Sequence, residues 1–437
     1  MENVENSPYS WVVLAACFLI NIICDGTLYA YGAMKNYIEE YFSVSQIMSS
    51  AVGSVANGVY LLSGPLASML LNKFGCRFVT IAGSVIAAGA MCISTFSPNI
   101  IFMIATYGVL GGLGFGFIYL PALTSVSLYF KKKAALAMSV NVAGSGIGTI
   151  IMAPLAAVLF DEYGWKGGML VLAALVLNCA AVGYLLKPVP KSQHLRNLTE
   201  TEDHKDSTSL TVGNNIEEHA SEANISNRIE DSVVVQSGWH IIRHDRRLMI
   251  ICIANVFSMI GYYVPYMFLS SMGENKGMTR TKSALLISIL GVTNTCARPI
   301  SGIIVEYTPL SALDLNNLSL LISAVVTFPI ELYGTVGLFL YAGLFGFFIA
   351  PHISMTPVFV GDLFGRHQVS STYGMVSFFR GFTTAISPIL CGYINERTNS
   401  FTAGFLFGGA TLLASFALHT CVSVMERRKT VKNRSNL

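Results

Sequence analysis

The 437-residue sequence is poor in charge: 12% of its residues are Asp, Glu, Lys or Arg, about half the share of an ordinary soluble domain. Water is therefore the wrong solvent for most of the chain. It has no G-x-x-x-x-G-K-[ST] phosphate loop, no H-E-x-x-H helix, no zinc spacing and no G-x-S-x-G elbow, which leaves no ground for ATP drive or for an enzyme. No cofactor is expected. The cysteines, at 17, 24, 76, 92, 179, 252, 296, 391 and 421, form no C-x-x-C pair and are odd in number, so they read as small buried hydrophobes rather than disulfides or metal ligands. The formal net charge of only +3 gives no reason to expect a nucleic-acid partner.

What is abundant is apolar residue, 53% of the chain, gathered into blocks of about 20, the length of an α-helix that crosses a bilayer. Six blocks lie near Ser10 to Met34, Ser49 to Leu71, Phe78 to Phe96, Asn99 to Leu120, Ala134 to Leu159 and Gly167 to Leu186. Six more lie near Leu248 to Met272, Ser283 to Val305, Leu318 to Gly334, Val336 to Thr356, Val369 to Ile394 and Phe401 to Val424. The prediction is an all-α membrane protein of twelve transmembrane helices in two six-helix halves, residues 10–186 and 239–424, with the lipid bilayer as its solvent. The first block is too long for a signal-peptide core and reads as a retained span after a short polar terminus, residues 1–9.

Residues 187–238, with Glu200, Glu202, Asp203 and His204 among Ser, Thr and Asn and almost no aromatics, read as a disordered linker. The sequons at Asn197 and Asn224 inside it read as chance matches. Lys73 and Arg77, Lys131 to Lys133, Arg243, Arg246 and Arg247, and the tail of residues 425–437 with Arg427, Arg428, Lys429, Lys432 and Arg434, all fall on one side. The positive-inside rule makes that side, with both termini and the linker, cytoplasmic. Lys276, Arg280 and Lys282 oppose this from the other side. Trp239 to Arg247 reads as a short surface helix meeting anionic headgroups.

The stretch from Gly64 through Asn72-Lys73-Phe74-Gly75-Cys76-Arg77 resembles the loop signature of the major facilitator fold. Gly75 permits a tight turn, and Asn72, Lys73, Gly75 and Arg77 are expected to gate, or to serve only as positive-inside anchors. Tyr129-Phe130-Lys131-Lys132-Lys133, Leu136-Ala137 and Ala143-Gly144-Ser145-Gly146-Ile147-Gly148 resemble the fifth-helix signature of the monocarboxylate transporter family. The resemblance implies a secondary transporter working by alternating access on a small organic acid, with a proton as a partner in many members. Some members also need a single-span ancillary glycoprotein to reach the plasma membrane, the expected location.

Three departures bear on that expectation. The first-helix signature survives only as Asn6-Ser-Pro-Tyr-Ser-Trp11, Tyr29 stands where many lactate carriers place a basic residue, and Asn294 stands where they place an acid four residues before Arg298. By resemblance Arg298 is the anchor for a substrate carboxylate, its planar fork suiting bidentate contact; a structural ion pair is the other reading. Asp25 and Arg380 also sit deep in apolar blocks, where charge marks function or pairing. Asp25 is open to three roles: pairing with either Arg, titrating, or meeting the cationic end of a zwitterion. Substrate contact is thus assigned to Arg298, Asp25, Tyr29, Asn294, Asn141, Ser145 and Arg380. Asn141 and Ser145 share a helix face and either line a cavity or bond across helices. Gly144 and Gly148, also on one face, read as packing positions. His352 is a weak candidate for the site and reads rather as a satisfied polar residue near the cytoplasmic end, and His419 reads as interfacial. The runner-up functions are a proton-independent carrier of a creatine-like, carnitine-like or amino-acid zwitterion and, from another class, a non-transporting membrane sensor or interaction protein.

Overall fold

The structure, a computed structural model, describes residues 8–130, 132–187, 236–398 and 400–435. The polar N-terminal residues 1–7, Lys131, and the linker from 188 to 235 with both sequons lie outside the described residues.

Twelve spans follow one another, and glycine or proline marks most of the breaks. α1 is Pro8–Tyr29, continued after Ala30 by Tyr31–Phe42. α2 is Gln46–Leu62, capped by the Ser45 hydroxyl and continued over residues 64–74; α3 covers 76–94. The two are parted at Gly75, whose φ of 82° is cheap only for glycine. α4 is Ile100–Tyr129, opened by the Asn99 side chain on the Phe102 N–H. α5 (134–163) and α6 (165–183) are parted at Gly164, φ 67°. A short helix, Gly238–His244, precedes α7 (Arg246–Asn275), α8 (Arg280–Tyr307), α9 (Ala312–Leu332), α10 (Thr335–Phe364), α11 (Val369–Thr398) and α12 (Phe401–Ser435). Nine segments are individually long and apolar enough to cross a membrane among the described residues. One of these holds both α5 and α6, and α2 and α11 complete the twelve. Large apolar side chains such as Val85, Ile150, Val325 and Leu340 point outward, as a lipid solvent requires.

Small residues set the crossings. A Cβ on Gly144 or Gly148 would fall 2.6 and 2.3 Å from the Phe18 and Ile22 carbonyl oxygens, so α5 lies backbone to backbone on α1. α5 meets α8 where Gly146 faces Thr295, and α2 meets α11 where Gly64 faces Gly374. These two seams join the halves. Below them, one apolar core runs from the N-terminal half into the linker end of the other half, through Ile251, Phe359 and Val376. The remaining core, around Leu290, Tyr341 and Phe405, belongs to the C-terminal half alone. Among the glycines, the outermost close approaches between halves are Gly58 with Gly381 and Gly146 with Thr295. Beyond them no hydrogen bond crosses between halves among the described residues. The molecule is therefore shut at the linker end and parted at the other.

The short helix before α7 forms as expected, but it docks on protein: Gly238 packs on Met375, and the Trp239 ring meets Phe378 edge-on. Arg247 is held by Asp245 and Glu426. Burial alone would raise the Asp245 carboxyl, but hydrogen bonds from the Arg247 side chain and backbone outweigh it and hold it below the usual range.

Candidate functional site

The deep ionisable groups sit on facing walls of the space between the halves. On α1, Asp25 is buried and accepts a 2.7 Å hydrogen bond from the Tyr60 hydroxyl of α2, while the Ser145 hydroxyl of α5 faces the same carboxylate. One turn on, at the break in α1, Tyr29 is 42% exposed although the stretch around it is buried. Its hydroxyl lies in the electrostatic field of Asp25 and Arg298 and of Tyr262 and Tyr263 on α7. Its exposure is thus to the space between the halves, not to lipid.

Across from it on α8, the Arg298 Nε donates to Asn294 Oδ1 at 3.1 Å and Nη1 to the Val142 carbonyl of α5 at 2.8 Å. Asn294 is itself fixed by donating to the Gly346 carbonyl. Asn294 therefore orients the guanidinium without neutralising it. Nη2 has no partner among the described residues and is not among the buried unmatched atoms, so it is the accessible edge of the fork. Arg380 on α11 is spent on neutral groups: Asn255 Oδ1, the Tyr373 hydroxyl and Thr356 Oγ1.

Of the three roles left open for Asp25, pairing with either arginine is not seen among the described residues. The ion pairs among the described residues all lie at the linker end. Asp25 and Arg298 feel each other's field but stand on opposite walls. One carboxylate thus faces two guanidinium groups, an excess of one positive charge. Asn141 turns inward to α1, where Asn21 Nδ2 donates to both its side-chain and main-chain oxygens at 2.8 and 3.0 Å. It braces α1 on α5 rather than lining the space.

Beneath these groups the floor is tyrosine. The hydroxyls of Tyr119 on α4 and Tyr373 on α11 meet at 3.3 Å across the halves, and Tyr60 packs on Tyr119 at 5.2 Å. Lower still, Asn72 Nδ2 donates to Ser371 and Asn72 Oδ1 accepts from Ser370. Asn72 is the member of the loop signature that crosses between halves. Lys73 lies against Phe74 and Arg77 over the Tyr184 ring, both within the N-terminal half, and Gly75 supplies the turn.

Sequence reasoning missed Tyr60, Tyr119, Tyr262, Tyr263, Tyr373 and Asn255. The signal available was a set of hydroxyl-bearing rings inside otherwise apolar blocks. His419, read from the sequence as interfacial, is fully buried within the protein.

Residues 14–314 match the family model described as Major Facilitator Superfamily, more than half of the chain. The chain belongs to that superfamily. Along nearly its whole length it is also similar to transporters of one kind. Monocarboxylate transporter 12 of Xenopus laevis is 25% identical over 96% of this chain and 90% of its own. Monocarboxylate transporter 1 of Mus musculus is 29% identical over 93% and 83%. The fold is that of the fucose transporter FucP in its outward conformation, TM-score 0.71 at 12% identity, covering 96% of this chain and 99% of that one. The xylose symporter XylE gives 0.69 at 13% identity, covering 94% and 95%. The protein is a multi-pass secondary transporter of the superfamily, akin to monocarboxylate transporters.

Proposed function

We propose that the transporter carries a small monocarboxylate across the plasma membrane by alternating access, with both termini cytoplasmic. The observation that carries this reading is the charge balance of the site. Even with Asp25 ionised, Arg298 and Arg380 leave one positive charge uncompensated. A monoanion removes that excess. The Nη2 edge of Arg298 is presented to receive a carboxylate, and the names of the relatives support the same solute class.

The contacts at the linker end correspond to the outward-facing stage of the cycle, given that the basic loops lie inside. Solute enters from outside, meets Arg298, and is released when the Tyr119–Tyr373 floor and the α2–α11 seam part. A second reading keeps Asp25 as partner for the cationic end of a zwitterion, favoured by its placement across from Arg298. The zwitterion would leave the excess charge in place, which ranks this reading second.

The test is Arg298→Gln. Charge-assisted hydrogen bonds are worth about 1.5–3 kcal/mol, so the KM for L-lactate or pyruvate is expected to rise roughly 10- to 150-fold at unchanged surface expression. Uptake with the wild-type KM would refute the assignment.

A further inference from the structure

His352 of α10 and His419 of α12 lie outside the space between the halves, fully buried within the C-terminal half. Their rings are 6.0 Å apart and nearly perpendicular. Their hydrogen bonds fix their tautomers. His352 Nδ1 lies 2.7 Å from Asn316 Oδ1, which can only accept, and the Asn316 amide nitrogen is turned to Asn317, so Nδ1 donates. His419 Nδ1 lies 3.0 Å from the Ser415 carbonyl, which can only accept, and 3.3 Å from the Ser415 hydroxyl, which can accept as well. A neutral imidazole has one N–H. Both rings spend it on Nδ1, so both Nε2 atoms carry bare lone pairs. Neither Nε2 finds a partner, although both are buried. A buried acceptor left unmet costs free energy that a purely structural histidine avoids.

The charged and titratable groups that act on these rings are Arg380 of α11 and the rings themselves. α9 presents the neutral Asn316, α10 adds Phe359 against His419, and Cys252 of α7 shares the field of Arg380. Arg380 is one hydroxyl away from His352: its Nη2 donates to Thr356 Oγ1 at 2.8 Å, and that hydroxyl donates to the His352 carbonyl at 2.5 Å. A protonated ring and Arg380 are like charges in a medium that screens poorly. A carboxylate between the halves offsets the guanidinium charge, and proton and anion can then load together.

We propose that His352 and His419 form the proton site of the carrier, loaded when a monocarboxylate occupies the space beside Arg298 and Arg380. This rests on the monocarboxylate reading. A hydronium ion gives up its proton, an N–H bond forms at a bare Nε2, and the proton returns to water once the linker end, toward which the pair lies, opens. No net charge then crosses with the solute.

The test uses the full chain in liposomes, with radiolabelled L-lactate and an internal pH dye, comparing wild type with His352→Gln and His419→Gln, folding checked by size exclusion. Wild type is expected to move roughly one proton per lactate, and His352→Gln to lose most of that proton movement and the acid stimulation of uptake. A His352→Gln protein that still moves one proton per lactate overturns the proposal. Nitrogen-15 NMR of the imidazoles gives a readout independent of flux. Both rings should be Nδ1–H tautomers without solute, and one should become imidazolium in saturating lactate. Two rings that stay neutral under saturating lactate would mean that the vacant nitrogens hold only a resident water, which also overturns it. Absence of lactate flux in wild type sinks the monocarboxylate reading itself. Proton-coupled flux that survives in both variants sinks this site alone.

Discussion

Gly64 provides the sharpest structural prediction. A Cβ there would sit 2.3 Å from the Gly374 carbonyl oxygen and 3.1 Å from its carbon. Ordinary contact begins at 3.4 Å, so Gly64→Ala forces α2 and α11 apart by about 1 Å, and the clashing atoms are backbone that cannot swing aside. Overpacking of this kind costs about 1–3 kcal/mol. The cost falls only on the state in which the linker end is shut, because α2 and α11 separate when it opens. The equilibrium should shift toward the linker-open state by roughly 5- to 150-fold. A reporter cysteine at Ser68, whose hydroxyl is buried 3.3 Å from that of Ser371, can be labelled from the linker side with an impermeant maleimide. Gly64→Ala should speed labelling by a comparable factor. An unchanged rate in a folded protein would mean that the α2–α11 seam does not close this end.

Asn294→Asp places a carboxylate on the Arg298 Nε now held at 3.1 Å. It should raise the KM for monoanions about tenfold near neutral pH, about 1.4 kcal/mol, with partial recovery on acidification as the new acid protonates; a pH-dependent KM series checks this. Asn21→Ala removes both bonds to Asn141 and leaves buried polar atoms unmet, a loss of about 1–3 kcal/mol, seen as a lower thermal midpoint in detergent. Asp245→Asn should leave the transport pH profile between about pH 5 and 8 unchanged. The Asp245 carboxyl is held low, so its contribution is present above the unfolded carboxylate range and is lost only as pH falls through the lowered value. Comparing the two profiles decides it.

Helix number and the halves were legible in the sequence because a bilayer imposes a length on every apolar block. The turn at Gly75 was legible from its loop signature, and the packing of Gly144 and Gly148 from their spacing of four. The site was legible only in its charges: Asp25, Arg298 and Arg380 stand out because charge is costly in hydrocarbon. Their partners did not stand out. Tyr60 reaches Asp25 from 35 residues away, and no periodicity tells which face of an all-apolar helix borders the space between the halves. Asn141 shows the same limit, since bracing α1 and lining a cavity demand the same residue type.

The most direct test of the central claim is saturable uptake of radiolabelled L-lactate and pyruvate, against creatine and carnitine, into oocytes expressing the chain at about pH 6 and about pH 7.5. The excess positive charge of Arg298 and Arg380 over Asp25 predicts saturable uptake of the monoanions and little of the zwitterions, and the His352–His419 site adds that monoanion uptake is stronger at the acid pH. Saturable zwitterion uptake indifferent to pH, with no lactate or pyruvate uptake, would contradict it.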